Sequence, residues 1–121
     1  MRPGIVRWFL SLEAALFGSA ALVHAGVLAE GYEHERAETA EGVIAAVLLT
    51  ALASSLIAPA SSRTIGIAAQ GFALFGTFVG MFTIAIGVGP RTALDLALHG
   101  IMVLLLISGL VAVARQARSG A

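Results

Sequence analysis

The sequence predicts an all-α membrane protein, a bundle of four transmembrane helices with both termini in the cytoplasm. The chain has 121 residues, of which 59% are hydrophobic and only 12% are charged, whereas soluble domains are about 25% charged. Four apolar runs are each long enough to cross a ~30 Å hydrocarbon core. Lipid offers the backbone no hydrogen-bond partner, so runs of this length and uniformity must be helices rather than barrel strands.

The apolar runs define four predicted spans within a single membrane domain, residues 1–121. The predicted spans are residues 5–29, 37–58, 64–88 and 92–114. Segments 59–63 and 87–91 contain the Pro and Gly residues that are typical of turns. Segment 30–38 is the one strongly charged stretch, so it is predicted to be a solvated loop at one membrane surface.

The arginines predict the orientation, because cytoplasmic loops carry an excess of basic residues. Lysine is absent, and the spans divide the seven arginines into two groups. One side of the membrane would hold Arg2, Arg7, Arg63, Arg115 and Arg118, and the other would hold Arg36 and Arg91. This bias places both termini in the cytoplasm of a bacterial cell, and the charged loop on the outer side of the cytoplasmic membrane.

Charge and cysteine content exclude several function classes. The formal net charge is zero, which argues against nucleic-acid binding, and the chain contains no cysteine, which excludes thiolate chemistry. Residues 1–26 have some features of a cleaved signal peptide, with a candidate cleavage site at Val23-His24-Ala25. The apolar stretch is too long for a signal peptide and Glu13 interrupts it, so it is interpreted as the first span.

Ionisable side chains inside the spans are the candidate functional residues, because charge in lipid is costly and is retained for a purpose. Helix geometry sorts them into two layers. The outer layer would contain His24, Glu41, Asp95 and His99, with His34 above them in the charged loop. The inner layer would contain Glu13 and Gln70, with Ser108 at a similar depth.

The outer layer has the composition of a metal or proton site. Asp95 and His99 are four residues apart and share a helix face, so with His24 they would converge at the outer end of the bundle. Imidazoles with carboxylates bind divalent Zn, Cu or Fe, and histidine also exchanges protons near neutral pH. The predicted ligands are His24, His99 and Asp95, with Glu41 and His34 as further members.

Structural roles are the alternatives for several of these residues. Thr92 and Asp95 fit a capping box at the start of the fourth span, and Asp95 is also spaced to pair with Arg91. Glu41 lies near the start of the second span, where an acid favours the helix dipole. His24 could instead lie at the membrane interface and donate a hydrogen bond to a backbone carbonyl.

Glu13 is the residue with the weakest structural explanation. Its sequence neighbours are apolar apart from Arg7, and its side chain is too short to reach the membrane surface. Two alternatives remain: a protonated Glu13 bonded to Gln70 or Ser108, or a carboxylate that functions in proton exchange.

The third span has the features of a packing helix. Gly76 and Gly80 form the small-residue motif that lets helices approach closely. An aromatic stripe, typical of core or lipid-facing surface, runs along the span through Phe72, Phe75, Phe78 and Phe82.

Two resemblances bear on the architecture. Residues 70–92, QGFALFGTFVGMFTIAIGVGPRT, followed by Asp95 and His99, resemble small four-helix bacterial membrane proteins of unknown function, which implies the fold and no activity. The chain is more loosely similar to small multidrug resistance transporters, four-span proteins with an essential glutamate in the first span, which Glu13 would match. It departs from them because its only tryptophan is Trp8 and its arginine bias opposes dual topology.

Three functional hypotheses follow. The first is a membrane protein whose outer histidine and carboxylate site binds a metal ion or relays protons, with Glu13 and Gln70 on the proton path. The second is a proton-coupled exporter of small molecules that uses Glu13 and works as a homodimer. The third is an accessory subunit of a larger membrane complex. A membrane enzyme that acts on a lipid or quinone is a further alternative, although no nucleophile motif supports it.

Overall fold

A computed structural model describes residues 2–116, and within that range the chain is all-helical with no strand. The four long helices are α1, Pro3–His24; α2, Glu35–Ile57; α3, Ser62–Ala85; and α4, Ala93–Ala114. A 3₁₀ turn, Pro59–Ser61, leads into α3. All four helices are long and apolar enough to cross a membrane, which confirms the predicted spans in number and kind. Arg118 lies outside the described residues.

The predicted boundary of the first span is wrong by five residues. Helix α1 ends at His24 rather than at residue 29, because Gly26 adopts a left-handed conformation with φ of +79°. The amide of Gly26 bonds the carbonyl of Val23 at 3.1 Å, so the chain turns there. Helix α3 likewise ends three residues early, and Gly87, with φ of +84°, forms the following turn.

The capping box at the start of α4 is confirmed. The Thr92 hydroxyl accepts from the backbone amide of Asp95 at 3.2 Å, and Asp95 Oδ2 accepts from the backbone amide of Thr92 at 3.0 Å. The predicted pairing of Asp95 with Arg91 is not found in residues 2–116, where Asp95 pairs instead with His24. The cap therefore fixes one carboxylate oxygen of Asp95 and leaves the other for the bundle interior.

The helices form an up-down bundle in chain order. Helix α1 packs against α2 and α4, helix α3 packs against the same two neighbours, and α1 also reaches α3 across the bundle. The backbone amide of Arg2 bonds Gln116 Oε1 at 3.4 Å, so both described chain ends lie at one end of the bundle. The apolar core runs along the bundle axis through Val6, Leu10, Phe17, Leu48, Met102 and Leu106.

The aromatic stripe of α3 faces outward. Its four phenylalanines are between 46% and 69% exposed, as expected for side chains that contact lipid acyl chains rather than the bundle interior. The polar residues are arranged in the opposite way, since Glu13, His24, Gln70 and Asp95 are at most 1% exposed. The outside of the bundle is therefore apolar and its inside holds the polar groups.

Glycines bring α3 close to its neighbours. A Cβ atom placed at Gly76 would lie 2.9 Å from Ile44 of α2, and one at Gly80 would lie 3.1 Å from the His99 ring of α4. The two glycines of the predicted small-residue motif thus serve two different helix contacts. Gly66 makes a third contact, because a Cβ there would lie 2.6 Å from Val6 Cγ1 of α1.

The Gly66 contact leads to a test of the packing between α1 and α3. We expect Gly66→Ala to destabilise the bundle by about 1–3 kcal/mol, since the added methyl overpacks against Val6. Unfolding by SDS in mixed micelles measures the loss. Val6→Ala in the same chain should recover most of it, whereas Gly4→Ala, where a Cβ meets nothing within 4 Å, should leave stability nearly unchanged. Equal losses from both glycine variants would contradict this packing.

Candidate functional site

Three helices bring one imidazole and two carboxylates together at the end of the bundle opposite Arg2 and Gln116. His24 Nε2 lies 2.7 Å from Asp95 Oδ1, and His24 Nδ1 lies 2.9 Å and 3.1 Å from the two oxygens of Glu41. His24 and Asp95 are each 1% exposed and Glu41 is 6% exposed. We call these three residues the outer cluster, because all three belong to the predicted outer layer. It joins α1, α2 and α4 through contacts that the hydrocarbon layer cannot replace.

Local structure explains why each side chain points inward. His24 is the last residue of α1, Glu41 lies in the second turn of α2, and Asp95 lies in the first turn of α4. All three therefore sit near helix ends at the same level. Asp95 Oδ2 also accepts from the Thr92 hydroxyl at 2.6 Å, in addition to its bond from the Thr92 amide. An oxygen that accepts two hydrogen bonds is typical of an ionised carboxylate, so Asp95 is interpreted as deprotonated.

The geometry determines how many protons the outer cluster must hold. Each of the two imidazole nitrogens faces a carboxylate, and each contact is favourable only with a proton between nitrogen and oxygen. The cluster therefore carries two shared protons and one net negative charge, and a third proton makes it neutral. Asp95 remains an acceptor because both Thr92 donors bind it. The third proton, which is the exchangeable one, would therefore bind on the side of the cluster where His24 faces Glu41.

Two predicted members lie beside the outer cluster without bonding its carboxylates. His99 Nδ1 lies 2.8 Å from the backbone oxygen of Asp95, one helical turn earlier in α4. His34 caps α2, since its Nδ1 accepts from the Ala37 amide at 3.2 Å. The His34 ring packs edge-on to His24 with centroids 6.4 Å apart, and its backbone amide donates to the His24 carbonyl at 2.9 Å. The loop between α1 and α2 thus closes over the cluster.

The arrangement does not fit a divalent metal. Within residues 2–116 no group of three or more His, Cys, Asp or Glu side chains is positioned to hold a metal ion. A metal needs a bare imidazole nitrogen, and both nitrogens of His24 are occupied by carboxylates. His34 and His99 each keep only Nε2 for a ligand, because Nδ1 of His34 caps α2 and Nδ1 of His99 donates to a carbonyl, and these two atoms belong to no such group. The predicted Zn, Cu or Fe ion has no ready-made ligand set in this conformation.

The inner layer contains a second polar pair. Glu13 and Gln70 are both fully buried, and the Gln70 amide nitrogen donates to the Gly66 carbonyl at 3.1 Å. Among the residues that the structure describes, neither carboxyl oxygen of Glu13 nor Oε1 of Gln70 has a hydrogen-bond partner. Two of these oxygens lie next to Gly109 of α4, where a Cβ would lie 2.7 Å from Glu13 Oε2 and would overlap Gln70 Oε1.

The predicted bond from Glu13 to Ser108 is wrong. Ser108 lies on the exposed side of α4 and donates to the Leu104 carbonyl at 2.7 Å. Its neighbour Gly109 faces the bundle interior instead, because adjacent helical residues are about 100° apart around the axis. Depth along the fourth span therefore does not distinguish Ser108 from Gly109, although a glycine in the same span was the available clue.

A cavity of about 270 Å³ connects the outer cluster to the space between α2 and α3. Its polar lining residues are His34, Arg36, Glu41, Thr77, Thr83 and His99. Phe17 and Met102 belong to the remaining, mainly apolar wall. Phe17 is one helical turn from Glu13, a rise of ~6 Å, and is 1% exposed. The cavity therefore makes Glu41 accessible. Phe17 separates the cavity from Glu13 and Gln70.

Comparison with known proteins adds no assignment. The chain matches no protein-family model, and neither the characterised proteins nor the solved structures include a detectable match to it.

Proposed function

We propose that this chain is a multi-pass protein of the bacterial cytoplasmic membrane that takes up and releases protons at the outer cluster. The observation that carries the proposal is the His24 ring, which faces a buried carboxylate at each nitrogen. Imidazole is the side chain suited to proton exchange near neutral pH. An ionisable residue within a span is also a functional candidate by default.

The three members of the outer cluster would have different roles. Asp95, held by two donors from Thr92, remains the fixed anion that stabilises a protonated His24. Glu41 lines the cavity and faces His24, so it is the group that can exchange a proton with water in the cavity. His24 links the two carboxylates. A metal would need His24 to leave one of them, and we do not propose one.

The direction of access follows from the arginines. Arg2 and Gln116 lie at one end of the bundle with Arg7 and Arg63, and the positive-inside rule would make that end cytoplasmic. The outer cluster and its cavity would then open toward the outer side of the membrane. The Glu13–Gln70 pair, deeper in the bundle, would be a second proton station nearer the cytoplasm.

Glu41→Gln tests the proposal. We expect it to slow proton uptake at least tenfold in proteoliposomes, because glutamine keeps the shape and a hydrogen bond to His24 but holds no exchangeable acid proton. An outward-acid pH step with pyranine trapped in the lumen measures uptake. Asp95→Asn should slow uptake as well, since it removes the anion that stabilises protonated His24.

Glu38→Gln is the matched control. Glu38 lies one turn earlier on the same helix and is exposed, so its substitution changes the same charge at the membrane surface without entering the cluster. It should leave uptake unchanged. Uptake by Glu41→Gln at the wild-type rate, in protein that is helical by circular dichroism, would contradict the proposal.

Proton-coupled export is a second candidate function, favoured by the cavity that adjoins both the outer cluster and Phe17. At about 270 Å³ the cavity is smaller than most ligand pockets, so an exporter of larger compounds would work as a homodimer. Glu13→Gln would abolish export while leaving equilibrium protonation of the outer cluster intact. A variant that still exports would remove this candidate.

A further inference from the structure

The cavity beside His99 has the chemistry of a small-molecule site. We propose that it binds a small neutral amphipathic molecule with a hydroxyl group, such as a phenol, which enters between α2 and α3. This inference goes beyond proton exchange at the outer cluster, because it concerns His99 and the cavity walls. Binding of this ligand requires no change in the protonation of His24.

His99 presents a hydrogen-bond acceptor to the cavity. Its Nδ1 faces the backbone oxygen of Asp95 at 2.8 Å, and a carbonyl can only accept, so Nδ1 carries the proton. In the neutral ring Nε2 is then left bare. No hydrogen bond within residues 2–116 uses Nε2, and the atom lies against Gly80 on the cavity wall. A ligand that donates one hydrogen bond would satisfy it.

The position of Gly80 keeps this acceptor accessible. A Cβ atom at Gly80 would lie 3.1 Å from His99 Nε2, so the glycine leaves space beside this nitrogen that any larger residue would fill. Thr77, one turn earlier on α3, uses its hydroxyl hydrogen on the Ala73 carbonyl at 2.7 Å and therefore offers no competing donor to the ring. The polar target in this part of the cavity is the bare nitrogen of His99.

The remaining walls suit an apolar body of limited size. Small and apolar side chains from all four helices line the cavity: Phe17, Ala37, Ala40, Ile44, Val79 and Met102. The volume of about 270 Å³ lies just below the ~300–1,000 Å³ of ordinary ligand pockets, which favours a compact molecule of one or two rings. A longer lipid chain would not fit within these walls.

The entrance lies between two membrane-crossing helices. Val79 of α3 and Ala40 of α2 both line the cavity and are exposed on the outside of the bundle. A molecule dissolved in the outer half of the bilayer can therefore reach the cavity without crossing water. Arg36 and Glu41 line the same cavity with charges of opposite sign, so a cationic ligand is repelled at Arg36 and an anionic one at Glu41 and at the bare His99 nitrogen. A neutral hydroxyl compound is repelled by neither.

A matched pair of probes tests the inference. We expect 1-naphthol to bind the purified protein in nanodiscs about tenfold more tightly than 1-methoxynaphthalene, the size of one hydrogen bond in a closed site. Probe fluorescence, corrected with empty nanodiscs, measures both affinities. His99→Leu should reduce the preference to about onefold, because the ether and the hydroxyl compound then meet the same apolar wall.

Two further variants separate loss of the site from loss of folding. Gly80→Ala should also remove the preference, because its methyl group covers Nε2 while the bundle keeps its helix content. Phe75→Ala, on the lipid-facing stripe, should preserve the preference, because Phe75 is 69% exposed and does not line the cavity. The inference is wrong if the two probes bind equally to the wild type, or if folded His99→Leu and Gly80→Ala both retain the preference.

Discussion

Replacing His24 with leucine is expected to destabilise the bundle by about 3–5 kcal/mol, the usual loss when one partner of a buried ion pair is removed. Glu41 and Asp95 would keep their burial and lose the ring that joins them. Leucine has a similar volume, so the loss comes from uncompensated carboxylates rather than from an empty space. Denaturation with SDS in mixed micelles measures the change in the free energy of unfolding.

His34→Leu is the control for this prediction. His34 caps α2 through one bond to the Ala37 amide, so its loss should cost about 1 kcal/mol. The double variant His24→Leu with Glu41→Leu should recover more than half of the His24 loss, because Asp95 retains its donors from Thr92. If His24→Leu is no less stable than His34→Leu, the outer cluster is not an interacting unit.

Replacing Glu13 with methionine is expected to have the opposite effect on stability. Both carboxyl oxygens of Glu13 are buried and have no hydrogen-bond partner within residues 2–116, and an apolar side chain of similar length avoids their desolvation. We expect the free energy of unfolding to rise by about 1–3 kcal/mol. If the proposed function is correct, the same variant should also slow proton movement through the bundle, because it removes the second proton station. A variant that is more stable and less active indicates a residue retained for function.

The same SDS titration and pyranine assay measure both effects. Glu38→Met is the control, since Glu38 is exposed and its substitution should change stability by no more than about 0.5 kcal/mol. A clear loss of stability in Glu13→Met would mean that Glu13 has a partner in the membrane-embedded protein, such as a bound cation. It would then have a structural role as well as any role in proton exchange.

The fold follows from composition and turn chemistry. Four apolar runs in a chain with 12% charged residues leave little choice but four spans, and the Thr92–Asp95 spacing was sufficient to predict the α4 cap. The end of α1 depended on the backbone of Gly26, whose left-handed conformation breaks an apolar run that hydropathy alone would continue.

The site was only partly predictable. Spacing within one helix placed Asp95 and His99 on a common face, yet it could not show that His99 would bond the backbone of Asp95 while His24 took its side chain. That division depends on the rotation of α1 against α4, which is set by packing between helices. The same rotation turned Gly109 rather than Ser108 toward Glu13.

The apolar packing around Phe17, which separates the outer cluster from Glu13, affects how protein and membrane voltage interact. Glu13 and His24 are eleven residues apart on α1, a rise of ~16 Å, and part of that distance is filled by tightly packed apolar side chains. The voltage across an energised membrane falls mainly over such low-dielectric material. A full crossing against that field costs ~2.3 kcal/mol per elementary charge for each 100 mV. A proton that moved between the outer cluster and Glu13 would cross part of this field. The membrane voltage would therefore influence which of the two sites holds the proton.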